Sequence, residues 1–306
     1  MSRNLYLPLL IALATCAQVR ASGDVTQVDA PAKKELSVLL SELDRVREAA
    51  GVAGAGLAIV SRDQVLHVGG LGVQSLQTRR PATKDTLFRV GSITKSFVGL
   101  TSLQMLRTQP DLFDQPVNHT IPDLLGEEFG GSAVRLPHLL EHTAGLGDLS
   151  AREFAFQGET VTFEKAIDYD PGTRKLRWPA GAHSSYSNAG FGFAGYVLET
   201  AGKRPFEELV KHYVLNPVQM ESAGFFINED SPPLAAGYTT DGKTPIPYWH
   251  MLYRSFGGLN ATPVDMSRFV TALLQPDGPG QLFLNTGERK RFENPSTTLA
   301  AGTGLP

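Results

Sequence analysis

Ser92 and Lys95 are the two side chains whose types and spacing most directly suggest chemistry in this sequence. They form an S-x-x-K run, and residues three apart on a helix share one face, so the hydroxyl and the ammonium group can meet there. A serine hydroxyl becomes an effective nucleophile only when a neighbouring base removes its proton. A lysine can be that base if burial or a nearby positive charge lowers its pKa. The pair therefore predicts a serine nucleophile with a lysine base, although an exposed pair on a solvated helix has the same spacing.

The residues around this pair predict the N-terminus of a buried helix. Residues 87–90 have the pattern of a short strand, and Gly91 separates them from Ser92. At a helix N-terminus, free backbone N–H groups favour negative charge, so this placement suits an oxyanion and helps to lower the pKa of Lys95. The positions after Lys95 are apolar almost all round, as is typical of a buried helix: Phe97, Val98, Leu100, Leu103, Met105 and Leu106.

A second motif, Tyr186-Ser187-Asn188, lies between a turn-rich segment and a predicted helix over residues 190–201. A loop that leads into a helix can direct two side chains into a cleft. A tyrosine hydroxyl beside an ammonium group can transfer a proton, and an asparagine amide can bind a substrate carbonyl or hold the lysine. Alone, the motif is equally typical of a surface loop with a packed tyrosine.

Together, the two motifs resemble the class C β-lactamases and their relatives, which include D-alanyl-D-alanine carboxypeptidases, D-aminopeptidases and β-lactamase-like carboxylesterases. Three further stretches resemble that family: P-A-T-K-D-T-L-F-R at 81–89, L-L-E-H-T-A-G-L at 139–146 and F-G-G-L at 256–259. The resemblance implies an α/β (α+β) fold of the β-lactamase/transpeptidase type. In that fold an antiparallel sheet is flanked by helices and accompanied by an all-helical region, here at about 116–253.

The resemblance also implies a role for each matching residue. Ser92 attacks a carbonyl carbon and forms an acyl-enzyme, Lys95 and Tyr186 act together as base and acid, and Asn188 orients the substrate and Lys95. The backbone N–H of Ser92 supplies half of the oxyanion hole. The implied substrate is a small molecule or peptide, namely a β-lactam, a D-amino acid peptide or an ester, and no cofactor or metal is implied.

A zinc hydrolase is the alternative from another mechanistic class. His138-Leu139-Leu140-Glu141-His142 matches the H-x-x-E-H zinc motif, in which two histidines four apart share a helix face and a glutamate serves as base. Two observations argue against a zinc site. T-A-G at 143–145 predicts that the helix ends directly after His142, and no later glutamate has the spacing of a third ligand. We therefore rank this interpretation well below the serine hydrolase.

The ends of the chain carry further expectations. Residues 1–21 have the charge, apolar core and small residues of a cleavable export signal, which predicts a periplasmic or secreted protein. Cys16, the one cysteine, lies in that segment and would allow lipid anchoring only if it were modified. Residues 22–32 read as a linker and 33–306 as the hydrolase domain. The net charge of −3 and the lack of a basic face argue against nucleic acid as a partner.

The third motif of the family, K-T-G or H-x-G on a strand lining the cleft, does not occur after Asn188. Gly302-Thr303-Gly304 is the nearest match, but only two residues follow it. We therefore expect a shortened domain with an incomplete sheet and an uncovered apolar helix face. Two functions follow from the sequence: an active serine hydrolase, or a catalytically impaired or non-catalytic penicillin-recognising protein.

Overall fold

A computed structural model describes residues 30–125, 133–154, 156, 160–275, 282 and 285–297. The predicted signal segment, Cys16, most of the predicted linker and Gly302-Thr303-Gly304 lie outside the described residues. Helix α1 spans Ala30–Ala49 and so includes the last three residues assigned to the linker. A glycine after a helical pattern predicts a helix stop at Gly51, and the chain does turn there with φ of +69°, a value that favours glycine.

The apolar runs at 56–60 and 65–68, separated by a short polar segment, predict a hairpin, and strands β1 (Gly54–Val60) and β2 (Val65–Gly72) form it as an antiparallel pair. The register is constant from Gly54 opposite Gly72 to Ile59 opposite His67, and it shifts between Ile59 and Val60. Two shorter antiparallel pairs accompany it. Strand β3 (Phe88–Arg89) pairs with β6 (Asn260–Ala261), and β4 (Gly237–Tyr238) pairs with β5 (Pro245–Ile246). Over the described ranges, each sheet therefore has two strands.

The helices form the larger part of the described structure. Helix α2 (Thr94–Met105) is buried almost all round, as predicted, and Phe97 stacks on Phe269 at a ring distance of 4.3 Å. Helix α9 (Pro263–Leu274) packs on the β1–β2 hairpin and begins with a capping box between Thr262 and Asp265. The remaining helices are α3 (Val117–Thr120), α4 (Leu136–Leu140), α5 (Ala151–Phe154), α6 (Phe163–Ala166), α7 (Asn188–Gly202), α8 (Phe206–Val210) and α10 (Thr286–Glu293).

The region predicted as helices and loops at 116–253 needs one correction, because it also contains β4 and β5. Their two-residue length leaves no alternating pattern to find in the sequence. The sequence also predicts a helix over 205–214, with Pro205 in its first turn. Helix α8 is shorter than this, because the chain continues as a π-helix over Lys211–Leu215. Across the described residues, no helix is long and apolar enough to cross a membrane.

Helix α7 approaches the segment before β6 unusually closely. A Cβ on Gly192 would lie 2.8 Å from Cγ of Tyr253, and one on Gly195 would lie 2.5 Å from Oγ of Ser255. Only glycine allows this approach. It brings the backbone of Phe256, the last residue of the short helix Arg254–Phe256, toward the N-terminal end of α2.

Candidate active site

Ser92 lies where strand β3 gives way to α2. The chain leaves β3 at Arg89, turns at Gly91 with φ of +56°, and forms one 3₁₀ turn over Gly91–Ile93 before α2 starts at Thr94. Ser92 is exposed to solvent. The first turn of a helix leaves its backbone N–H groups without intrahelical partners, so this position can serve both a nucleophile and an oxyanion.

Lys95 connects the parts of the site. Its Nζ donates to Ser92 Oγ at 3.0 Å and to Asn188 Oδ1 at 2.9 Å. It also donates to the backbone carbonyl of Phe256 at 2.7 Å. Three acceptors fix the position of the amine, so one hydrogen bond is directed at the serine hydroxyl.

Burial lowers the pKa of Lys95 from its ordinary value, because a desolvated ammonium group is disfavoured. Hydrogen bonding and charge at Tyr186, together with the charge of Asp148, act in the opposite direction. The net direction is the one that a general base requires, since more of the amine is neutral near neutral pH.

Tyr186 and Asn188 meet Ser92 and Lys95, as the sequence predicts. The hydroxyl of Tyr186 is 3.0 Å from Ser92 Oγ, and 52% of the tyrosine is exposed. Asn188 is buried and begins α7, whose N-cap is Ser187; the Ser187 hydroxyl accepts from Gly190 N at 3.0 Å. The cap thus sets the direction in which the two flanking side chains enter the site.

Two contributors were missed by the sequence reasoning. Asp148 accepts a hydrogen bond from Asn188 N at 2.7 Å and one from Asn188 Nδ2 at 3.2 Å, which leaves Asn188 Oδ1 directed at Lys95. Asp148 lies two residues after the recognised L-L-E-H-T-A-G-L segment, and that position was the available signal. Phe256 begins the recognised F-G-G-L segment, but its residue type gives no signal for the role of its backbone carbonyl, because every residue carries one.

The zinc interpretation fails on geometry. Helix α4 ends at Leu140, and His142 has φ of +59°, so His138 and His142 do not share a helix face. Nδ1 of His138 accepts from Arg135 N at 3.0 Å, and Nδ1 of His142 accepts from Ser187 N at 3.1 Å. Within the described ranges, no group of three histidine, cysteine, aspartate or glutamate side chains could hold a metal ion.

Replacing Gly91 with alanine should strain the turn that presents Ser92. An L-residue at φ near +56° costs about 1–2 kcal/mol, and no described atom within 4 Å of the new Cβ adds a clash, so the effect is conformational. We expect a lower free energy of unfolding in urea and labelling of Ser92 by a fluorophosphonate that is about tenfold slower. Gly224→Ala, where the Cβ also meets open space, is the control. If Gly91→Ala kept the stability and the labelling rate of the wild type, the turn at Gly91 would not be what positions Ser92.

His142 should make stability depend on pH. Burial, with Lys95 adding to it, lowers the pKa of His142 to about 4, whereas an unfolded histidine has a pKa near 6.5. Between these values the unfolded chain binds more protons, so this stabilisation is complete above pH 6.5 and is lost as the pH falls toward 4. From pH 7 to 5 the loss is at most about 2 kcal/mol.

Urea unfolding at the two pH values measures this loss. We expect His142→Asn to reduce the difference between pH 7 and pH 5, while the exposed His119→Asn should keep it. An equal pH dependence in wild type and His142→Asn would show that His142 is not its source.

A serine in hydrogen-bond contact with a lysine and a tyrosine, just before a buried helix, is the arrangement that the sequence motifs resemble in the β-lactamase-like serine hydrolases. The sequence matches the family model described as Beta-lactamase over residues 41–306. The chain belongs to the Beta-lactamase family, and its fold is of the β-lactamase/transpeptidase type, as the sequence indicated.

Relatives within this family differ in what they are named for. The chain is 26% identical over 241 residues to a "Beta-lactamase" of Yersinia enterocolitica, covering 79% of this chain and 60% of that protein. It is 27% identical over 222 residues to "Esterase EstB" of Burkholderia gladioli, covering 67% of this chain and 55% of that one. The chain thus spans little more than half the length of these relatives.

A solved structure agrees on the fold. The octameric penicillin-binding protein homologue from Pyrococcus abyssi superposes with a TM-score of 0.71 at 23% identity, covering 81% of this chain and 59% of that one. At this identity the likeness concerns the fold alone.

Proposed function

We propose that this protein is a serine hydrolase that acts through an acyl-enzyme on an ester, a β-lactam or a D-amino acid peptide. The observation that carries the proposal is that Ser92 Oγ lies 3.0 Å from Lys95 Nζ and 3.0 Å from the hydroxyl of Tyr186. A base in hydrogen-bond contact with the serine can remove its proton, and a second proton carrier beside it can protonate the leaving group.

The proposed reaction has two stages. Ser92 Oγ bonds to the carbonyl carbon as its one proton passes to Lys95 Nζ, and the bond to the leaving oxygen or nitrogen breaks with its electron pair on that atom. Tyr186 gives its hydroxyl proton to the leaving atom and regains a proton from Lys95. Water then attacks the acyl-enzyme, with Tyr186 assisting, and releases the acid and free Ser92. Asn188 holds Lys95 and offers its amide to the substrate.

Covalent labelling tests the first stage. We expect a fluorophosphonate or a fluorescent penicillin to add one mass increment to the protein and none to Ser92→Ala. Hydrolysis of nitrocefin, a short nitrophenyl ester and a D-Ala-D-Ala peptide, each compared with Ser92→Ala, then separates the substrate classes. Equal labelling of both proteins would refute the proposal.

The second candidate is a penicillin-recognising protein with weak or no turnover. It shares the contacts of Ser92 with Lys95 and Tyr186 with the first candidate, and it differs from the first candidate in how fast water releases the acyl group from Ser92. A stable Ser92-dependent penicillin adduct without released product would identify this case, whereas rapid loss of the adduct with turnover would exclude it.

We also propose export, on the strength of the residue pattern at 1–21. Expression in a bacterial host followed by intact-mass measurement tests it. A periplasmic product that starts after Ala21 supports cleavage there, and a lipid-modified product that starts at Cys16 supports the anchoring alternative. An uncleaved cytoplasmic product refutes export.

A further inference from the structure

A cavity of about 600 Å³ adjoins the candidate active site. It shares Lys95, His142 and Tyr186 with the site, and it extends along α2 past Ser96 and Gly99 to Leu103. Its volume falls in the range of sites that enclose small molecules. A group bound at Ser92 could therefore continue past Tyr186 into the protein.

The polar groups on the far wall of this cavity are engaged with the protein. The Glu141 carboxylate accepts hydrogen bonds from Ser296 N at 2.7 Å, Ser296 Oγ at 2.6 Å and Thr297 N at 2.7 Å. These bonds fasten the segment after α10 to the end of α4 and close this side of the cavity. The guanidinium group of Arg291 lies over the Phe113 ring at 4.5 Å, so its charge is also placed against the protein.

More of the lining surface is apolar than polar, and Ser96, Ser184, Glu293 and Asn294 are the further polar residues in it. Contact with this surface favours an alkyl or aromatic group over a charged one, because burial removes apolar area from water at both partners. The apolar side chains are Leu103, Phe113, Pro137, Leu140, Phe191, Phe292 and Pro295.

The position of Tyr186 indicates which part of a substrate enters the cavity. An acid that protonates a leaving atom must lie on the leaving-group side of the reacting carbon. The Tyr186 hydroxyl is 3.0 Å from Ser92 Oγ, and its side chain lines the cavity. The cavity therefore extends from the side on which the leaving group departs.

Building on the acyl-enzyme mechanism proposed above, we infer that this cavity binds an apolar leaving group. The substrate class is an ester or amide whose alcohol or amine portion carries an extended alkyl or aromatic group. Ser92 Oγ bonds to the acyl carbon, the bond to the alcohol oxygen or amine nitrogen breaks, and that atom keeps the electron pair and takes its proton through Tyr186. The released alcohol or amine leaves from the cavity.

Two series of simple esters test the inference on the full chain. In the first, the acyl group stays acetyl and the alcohol lengthens from methyl to butyl to hexyl. All of its members form the same acetyl-enzyme, so differences in kcat/KM report acylation alone. In the second, the alcohol stays methyl and the acyl group lengthens. Acid release in a pH-stat measures both series without a chromophore.

We expect kcat/KM in the alcohol series to rise by up to about fourfold per methylene until the cavity is filled, so that butyl acetate exceeds methyl acetate at least tenfold. We expect a smaller slope in the acyl series. A butyl-to-methyl ratio below threefold overturns the inference, and so does a steeper slope in the acyl series. Absence of Ser92-dependent hydrolysis in both series also overturns the inference, whereas absence of Ser92-dependent covalent labelling refutes the proposed function, so the two failures are distinguishable.

Substitution at Gly99 tests the location. A Cβ at Gly99 would lie 3.7 Å from Cε2 of Phe292, an ordinary contact, so Gly99→Ala is the matched control for Gly99→Leu. Gly99→Leu should lower the butyl-to-methyl ratio to below threefold, and Gly99→Ala should keep most of it. Ser96→Leu provides a second filling variant if Gly99→Leu does not fold, as judged by circular dichroism. If Gly99→Leu or Ser96→Leu is folded and keeps the wild-type butyl-to-methyl ratio of kcat/KM, the alcohol portion does not bind in this cavity and the inference is overturned.

Discussion

Lys95→Met is expected to slow acylation of Ser92 by about 10²–10⁴-fold, the range for removal of a general acid–base group. Methionine keeps the length and the apolar part of the side chain, but it removes the Nζ that bonds Ser92, Asn188 and the Phe256 carbonyl. The second-order rate of fluorophosphonate labelling at neutral pH measures acylation directly. Lys84→Met is the control, because that lysine is exposed and pairs with Asp85.

Lys95→Arg separates the two roles of the amine. An arginine supplies a positive charge and several donors but does not deprotonate in proteins. If Lys95 acts as a base, Lys95→Arg should be nearly as slow as Lys95→Met. If its charge alone mattered, Lys95→Arg would recover most of the rate, and the base assignment would be wrong.

Asp148→Asn should produce the second largest effect, a reduction of about tenfold to 100-fold in kcat/KM. The two carboxylate oxygens of Asp148 each accept one hydrogen bond from Asn188. The substitution replaces one of these oxygens with an NH₂ group, so the side-chain amide of Asn188 is no longer held toward Lys95. The Asp148 carboxylate also raises the pKa of Lys95, so its removal lowers that pKa further. The acid limb of the kcat/KM profile should therefore move to lower pH, by a small amount because Asp148 is exposed and water screens its charge.

The direction of this pH shift distinguishes positioning from a merely structural role. Local unfolding would reduce the rate equally at all pH values and would lower the free energy of unfolding. Asp168→Asn, at another exposed aspartate, is the control for the loss of one negative charge. An unchanged rate and profile in Asp148→Asn would remove Asp148 from the site.

The sequence predicted those parts of the site that depend on side-chain identity at short spacing. Ser92 and Lys95 are one helical turn apart, and Tyr186 and Asn188 flank a helix cap, so each pair is fixed by local geometry. The roles of all four residues remain predictions until they are measured. Asp148 and the Phe256 carbonyl depend on tertiary contacts between distant segments, and no local pattern encodes such contacts.

In the fold, too, the features set by local sequence were predictable and those set by tertiary contacts were not. The hairpin of β1 and β2 and the cap of α9 were predictable, since alternation and capping residues act over a few positions. Strands β4 and β5 were not, because two residues pair only when the surrounding loops bring them together. The helical spacing of Leu36, Leu39, Leu40, Leu43 and Val46 predicts a helix, which the structure contains as α1. Val46 is 51% exposed, so the periodicity does not predict burial there.

The hydrogen bonds at Lys95 and Glu141 have a consequence for how the protein is made. Lys95 meets a carbonyl 161 residues further along the chain, and Glu141 meets Ser296 across 155 residues. Contacts of this separation form slowly, because the entropy of closing a long loop must be offset first. A ribosome-bound chain can complete α2 long before Phe256 emerges, so the nascent protein holds its serine and lysine without the acceptor that positions them. Reactivity at Ser92 is then a late marker of folding, acquired after most of the helices are in place.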